Sequence, residues 1–276
     1  MLCASLRHRG DELLRRLERP RAAAASGVPI GIPLLHPWAN RLAGLSYRAA
    51  GRHVDVDPQS PLLHYDANAL LLHGVPWSRL RWELESATAT HVRARLHWHT
   101  PAQRAVFPFE HTLHLDVELA GSSLAVATTM HASGAESVPV SFGFHPYVGL
   151  PGTPRADWRL SLPAMRRLLL DPLGLPDGNE RAFAGDGSIL ARRSLDDHFA
   201  LQSDQAQLAI CDRYRQIRVE LLHGYTHAQV YAPSGFDYIA FEPMTAPVNA
   251  LCSGDGLRVL AAGEHFQARF RIVVEA

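Results

Sequence analysis

Apolar and polar residues alternate along much of this chain. Between Phe107 and Leu119, the side chains of Phe109, Leu113, Leu115, Val117 and Leu119 fall on one side, while Glu110, Thr112, His114, Asp116 and Glu118 fall on the other. A period of two marks a strand with one buried face. Thr90 to His99 follows the same pattern. Ser123 to Met130, Ile217 to Leu222, His227 to Tyr231 and Phe266 to Val274 add further candidate strands. Gly and Pro clusters at 150–154 and 173–178 break the segments into turns. No long stretch keeps a 3.6-residue period. The pattern therefore predicts an all-β chain, and its 276 residues favour one large antiparallel sandwich, a single domain spanning 1–276. Two segments at 31–44 and 71–77 are too rich in Pro and Gly for regular structure and read as ordered loops. Asp11 to Arg19 fits either a short amphipathic helix or two poorly alternating strands.

The stretch from Phe236 to Ala250 combines a strand pattern with chemistry. Its apolar run ends at Glu242, and Pro243, which lacks the N–H that a sheet ladder needs, is expected to stop the strand there. A carboxylate at a strand end beside a rigid loop can be partly desolvated and suited to general-base work, or it can simply cap a backbone group.

Composition narrows the function classes. The formal net charge is +0, which removes the basic footprint of a nucleic-acid binder. No apolar run is long enough to span a bilayer, and Met1 to Arg9 lacks the apolar core of a signal peptide, so a cytoplasmic protein is expected. Cys3, Cys211 and Cys252 are odd in number and far apart, which fits free thiols. All 27 basic residues counted as Lys or Arg are arginines. Schiff-base chemistry and a phosphate-loop lysine are thereby excluded.

Several histidines are candidates for proton transfer at neutral pH, His73 and His145 foremost. His97 and His99 share one strand face, as ligands of a metal can, but no third and fourth ligand stands at a fitting spacing, so no metal site is expected. Arg41, in a Pro- and Gly-framed loop, could hold hydroxyl oxygens or pair with a surface carboxylate. Asp196 and Asp197 point to opposite faces if they lie on a strand, so at most one enters a site. Trp38 and Trp77 could offer flat apolar faces to a sugar or belong to the core.

Taken in order, these segments resemble the aldose 1-epimerase (mutarotase) family. Asn40-Arg41-Leu42-Ala43-Gly44 is similar to its N-R-x-x-G loop, and Leu72-His73-Gly74 to its L-H-G element. Phe142 to Tyr147 resembles its histidine-bearing strand end, and Leu195 to Phe199 its D-x-x-F segment. Glu242 to Ala250 resembles its E-P-x-T-x-P-x-N-A signature. The resemblance implies a galactose-mutarotase-like β supersandwich that interconverts the α and β anomers of an aldose without metal or cofactor. It assigns Glu242 as base, His145 as acid and His73 as a polarising group, with Arg41, Asp196, Asn40 and Trp77 holding the substrate. Asp196 is preferred to Asp197 by its spacing to Phe199. The expected partner is a small sugar, an aldohexose or its phosphate, bound by a monomer or homodimer. Arg41, Arg79 and Arg81 are the candidate phosphate-gripping groups, and a non-catalytic sugar-binding module is the reading from another class. Two features depart from the family pattern: an N-terminal edge that reads as shortened, and His145-Pro146-Tyr147-Val148 where galactose mutarotases have H-x-Y-F-N.

Overall fold

The computed structural model describes residues 2–15 and 30–276. Two eight-stranded sheets dominate it. The first runs, across its width, Arg159–Ser161, Ala206–Cys211, Gln216–His223, His265–Glu275, Ser123–His131, His111–Ala120, His91–Trp98 and Glu83–Ala87. The second runs Pro176–Phe183, Met165–Leu170, Leu195–Ala200, His227–Ala232, Ile239–Met244, Gly143–Phe144 and Leu34–Leu35, with Tyr147–Val148 also paired to Ile239–Met244. Every ladder in both sheets is antiparallel. These two sheets form the large antiparallel sandwich that the alternation predicts.

Alternation along the strands builds the core. Leu96, Leu113, Met130, Phe270 and Ile272 of the first sheet are buried in one apolar cluster with Phe144, Phe199, Val230 and Phe241 of the second. The sheets meet directly where Phe144 lies against Phe270, ring centroids 5.1 Å apart. Burying side chains of this size, at about 1.5–3 kcal/mol each, is what favours the closed sandwich.

Local departures from the expected pattern have identifiable causes. The strand predicted from Phe107 begins at His111, because Pro101–Val106 forms a short helix that ends at Phe107. Thr100 caps it: its Oγ1 accepts the Gln103 N–H, and the Gln103 side chain accepts the Thr100 N–H, a reciprocal capping box. Leu119, expected inside, is exposed near the far end of its strand. Asp11–Glu12 pairs with Arg7–His8 as a two-residue hairpin, so strand wins over helix there; residues 16–19 of that segment lie outside the described residues.

The expectation that Pro243 ends its strand is corrected: Ile239–Met244 continues through it, and Glu242 sits in mid-strand opposite Gln229. Proline fits because its nitrogen faces the neighbour that is interrupted. Its carbonyl lies on the Gly143 side, 2.7 Å from where a Cβ on Gly143 would be, and in a strand the nitrogen of a residue shares that edge. The neighbouring chain there breaks between Gly143–Phe144 and Tyr147–Val148, so the ladder on that side is short where the proline stands.

Three buried histidines give the fold a pH dependence. His36, His111 and His198 are almost wholly enclosed, and burial holds each below the ordinary imidazole pKa of 6.5, His111 at about 4 and His198 at about 3. The Nδ1–H of His111 donates to the Phe109 carbonyl at 2.7 Å, so its Nε2 accepts from His36 Nε2–H at 2.9 Å. Unfolding returns these rings to water, where they take up protons near pH 6.5. Below that pH the unfolded chain binds more protons than the folded one, and stability falls as pH falls, by roughly 1.4 kcal/mol per pH unit for each ring. Burial raises the Glu242 and Asp197 carboxyls, which act in the opposite sense, while His73 and His227, also held below 6.5 by burial, act with the three rings. Five rings against two carboxyls predict a melting temperature that drops by roughly 5 °C or more between pH 7 and pH 5. A flat or rising trend in thermal unfolding scans would contradict the balance.

Candidate active site

The second sheet carries a row of polar side chains on the face away from its apolar cluster. In register across three strands stand His198, Gln229 and Glu242, and one step along Asp196, Tyr231 and Ala240. Loops from the two Gly- and Pro-rich segments close over this face. The resulting cleft is lined by Asn40, Arg41, His64, Leu72, His73, His145, Tyr147, Asp196, Gln229, Tyr231 and Glu242.

At its floor, His145 Nε2 and Glu242 Oε1 are 2.9 Å apart, with both side chains nearly buried. Burial pushes the Glu242 carboxyl above its ordinary pKa, although the neighbouring His145 pulls the other way. Among the described residues, the remaining polar atoms of the pair, Glu242 Oε2 and His145 Nδ1, have no hydrogen-bond partner. A buried polar atom left unpaired costs about 1–3 kcal/mol, so two in one cleft mark a place built for a ligand. The Tyr147 ring stacks on His145, centroids 4.1 Å apart and 24° between planes, which fixes the imidazole orientation.

His73 sits edge-on to His145, centroids 5.5 Å apart. The Asn40 N–H donates to His73 Nδ1 at 3.1 Å. A backbone amide can only donate, so a neutral His73 carries its hydrogen on Nε2. Enclosure by protein, and the charges around His145, His64 and Arg41, hold its pKa well below 6.5. His73 is therefore a hydrogen-bond donor and not a store of protons.

Arg41 is anchored at one end. Its Nε donates to Asp66 Oδ2 at 2.7 Å and its Nη1 to Asn40 Oδ1 at 3.3 Å. Burial works against the Asp66 carboxylate, but Arg41 and the N–H groups of Leu70 and Asn68 outweigh it and keep its pKa low. Gly174 gives the guanidinium room, since a Cβ there would lie 2.8 Å from Nη1.

The motif residues without obvious chemistry bind the loops together. Thr245 donates both its N–H (3.0 Å) and its Oγ1–H (2.9 Å) to the Phe142 carbonyl, tying the Glu242 strand to the His145 strand. Asn249 accepts the Ala43 N–H on its Oδ1 at 2.8 Å and donates its own N–H to the Arg41 carbonyl at 3.0 Å. Glu242, His145 and Arg41 thus share one hydrogen-bonded frame.

Of the residues singled out from sequence, Glu242, His145, His73, Arg41, Asn40 and Asp196 come together in the cleft. Asp197 faces the other way and pairs with Arg167. Trp77 lies half-buried in a single turn, Trp77–Arg79, and is not among the cleft-lining residues; Trp38 is fully buried. Arg79 and Arg81 do not line the cleft either. His97 bonds to Thr112, and among the described residues no three His, Cys, Asp or Glu side chains group as a metal site requires. The three cysteines are free, and no described helix is long and apolar enough to cross a membrane. Sequence reasoning did not single out His64, Tyr147, Gln229 and Tyr231. Gln229 and Tyr231 carry no motif signal, and only the strand register brings them opposite Glu242 and Asp196.

An antiparallel supersandwich with a histidine–carboxylate pair set in a polar cleft on one sheet defines the class. The family model for aldose 1-epimerase matches residues 5–273, and the chain belongs to that family. It is 26% identical to the uncharacterized protein YihR of Escherichia coli K12 over 259 residues, covering 88% of this chain and 81% of that one. Among solved structures, Slr1438 from Synechocystis is 25% identical with a TM-score of 0.77, covering 97% of this chain and 86% of that one. A galactose mutarotase-like protein from Clostridium acetobutylicum has a TM-score of 0.83 at 18% identity, covering 96% and 86%, a likeness of fold.

Proposed function

We propose that this protein is an aldose 1-epimerase that interconverts the α and β anomers of a hexose by opening and closing its ring. The observation that carries this reading is the buried His145–Glu242 pair, 2.9 Å apart in a cleft with hydroxyl-binding groups around it. Ring opening takes a proton from the anomeric hydroxyl and gives one to the ring oxygen, and both oxygens are bonded to the same carbon. Acid and base must therefore converge, as these two do.

In the working form Glu242 is a carboxylate and His145 an imidazolium. Glu242 takes the O1 proton while the O1–H electron pair becomes the second bond of the C1 carbonyl. The C1–O5 bond breaks, and O5 keeps that pair and takes a proton from His145. Rotation about C1–C2 exposes the other face of the aldehyde. Closure then runs the transfers backwards: O5 adds to C1 as it returns its proton to His145, and Glu242 protonates O1. The pair ends as it began, so neither metal nor organic cofactor enters these steps. His73, donating from Nε2, polarises the reacting oxygens, and Arg41, Asn40 and Asp196 hold the hydroxyls.

Free hexose fits better than a phosphorylated one, because Arg41 is the single arginine among the described residues that line the cleft. Polarimetry on freshly dissolved α-glucose and α-galactose tests the reading. Rotation is expected to relax faster in proportion to added protein, and relaxation at the buffer rate from folded protein would count against it.

A further inference from the structure

His198 never reaches the cleft, yet it governs one of the cleft's two carboxylates. Its ring is fully buried and stacks against His227, centroids 5.4 Å apart and 8° between planes. The Val248 backbone N–H points at its Nε2, 3.3 Å away. That amide can only donate, so the neutral ring must carry its hydrogen on Nδ1. Nδ1 lies 3.0 Å from Gln229 Oε1, which therefore accepts. With its oxygen engaged, the Gln229 amide turns its NH2 the other way and donates to Asp196 Oδ1 at 2.5 Å. Every donor in this chain is dictated by the one before it, and the first is backbone and cannot flip. Because Val248 belongs to the loop after Glu242, the order runs from the segment that carries the base to the carboxylate at the cleft mouth.

We propose that His198 is a positioning residue for sugar binding: it fixes the Gln229 amide, which holds Asp196 by one oxygen and leaves the other for a substrate hydroxyl. The inference rests on the aldose reading of the cleft. Without His198 the Gln229 amide has no reason to keep its NH2 toward Asp196. A flipped amide would set its oxygen against the carboxylate and turn Asp196 away. The Glu242–His145 pair makes no hydrogen bond to this chain and feels it only through its neighbour Gln229 and the charge of Asp196, so the chemical step is largely spared.

His198→Leu removes the donor at similar volume, and His198→Asn keeps a short donor and acceptor. For the leucine variant KM is expected to rise roughly tenfold, the worth of a hydrogen bond to a charged group, with kcat within about twofold of wild type. The asparagine variant should recover most of the KM loss. Folded His198→Leu protein with wild-type KM, or with kcat reduced at unchanged KM, overturns the inference even if its melting temperature falls. Should the leucine variant not fold, 15N NMR of the wild-type imidazole decides: a neutral Nδ1–H ring from pH 5 to 8 is expected, and an Nε2–H ring or one titrating in that range overturns it. Wild type without anomerisation activity would instead sink the aldose reading itself, so the two failures are told apart.

Discussion

Glu242→Gln should slow catalysed anomerisation by about 10²–10⁴-fold, the usual loss when a general base is removed. The amide matches the carboxylate in shape, so the strand pairing with Gln229 and the contact to His145 have no steric reason to change. What disappears is the one group at the cleft floor able to take the O1 proton. In wild type the same carboxyl must be ionised to act. Because burial raises its pKa, the acid limb of the rate profile should lie above the ordinary carboxylate range, with activity rising as pH rises through it. Polarimetry across pH checks both statements. A glutamine variant within a few-fold of wild type would remove Glu242 from the chemistry.

The second large effect is on the fold. Gly74 has φ +64°, and a Cβ there would meet the His36 carbonyl oxygen at 2.4 Å, the His36 carbonyl carbon at 2.5 Å and Pro37 N at 2.7 Å. All three are backbone atoms and cannot swing aside. Gly74→Ala should therefore cost about 3 kcal/mol or more, combining left-handed strain with a forced shift of the loop. Gly121→Ala is the control: φ is +56°, but nothing lies within 4 Å of the added carbon, so only the conformational cost of about 1 kcal/mol remains. Urea unfolding midpoints should separate the two variants. Equal midpoints would mean that the loop yields freely. Since His73 immediately precedes Gly74, lost activity in any surviving Gly74→Ala protein is expected to accompany lost stability.

These positions show what could be read from the chain and what could not. The long central strands were legible because half their residues face one core, which imposes a period of two. Pro176–Phe183 was not, because it is an outer strand whose residues are mostly exposed, and nothing forces alternation on it. Pro101–Val106 was hidden by the strong alternation around it, although Thr100 and Gln103 spelled its capping box. Pro243 misled because proline argues against a strand interior unless a neighbour is interrupted, and that interruption belongs to a segment 100 residues away.

The candidate site divides along the same line. His145, His73 and Arg41 lie in Pro- and Gly-framed loops or strand ends, and Glu242 interrupts an apolar run beside Pro243, so each polar group stands out in the sequence. Gln229, Tyr231 and His198 sit on ordinary strands, and their bearing on the cleft comes only from cross-strand register. Asp196 and Asp197 could be separated in sequence only by spacing, whereas the structure turns one to Gln229 and the other to Arg167. Asn249 and Thr245 resembled parts of a catalytic signature, and their hydrogen bonds are those of clamps that hold the loops in place.

The most direct test of the aldose 1-epimerase reading is saturation-transfer NMR on equilibrated glucose and galactose. Saturating the α anomeric proton should reduce the β signal in proportion to protein concentration, at neutral pH and with no metal added. Transfer that stays at the spontaneous rate with well-folded protein, for both sugars, would contradict ring opening as the activity of this cleft.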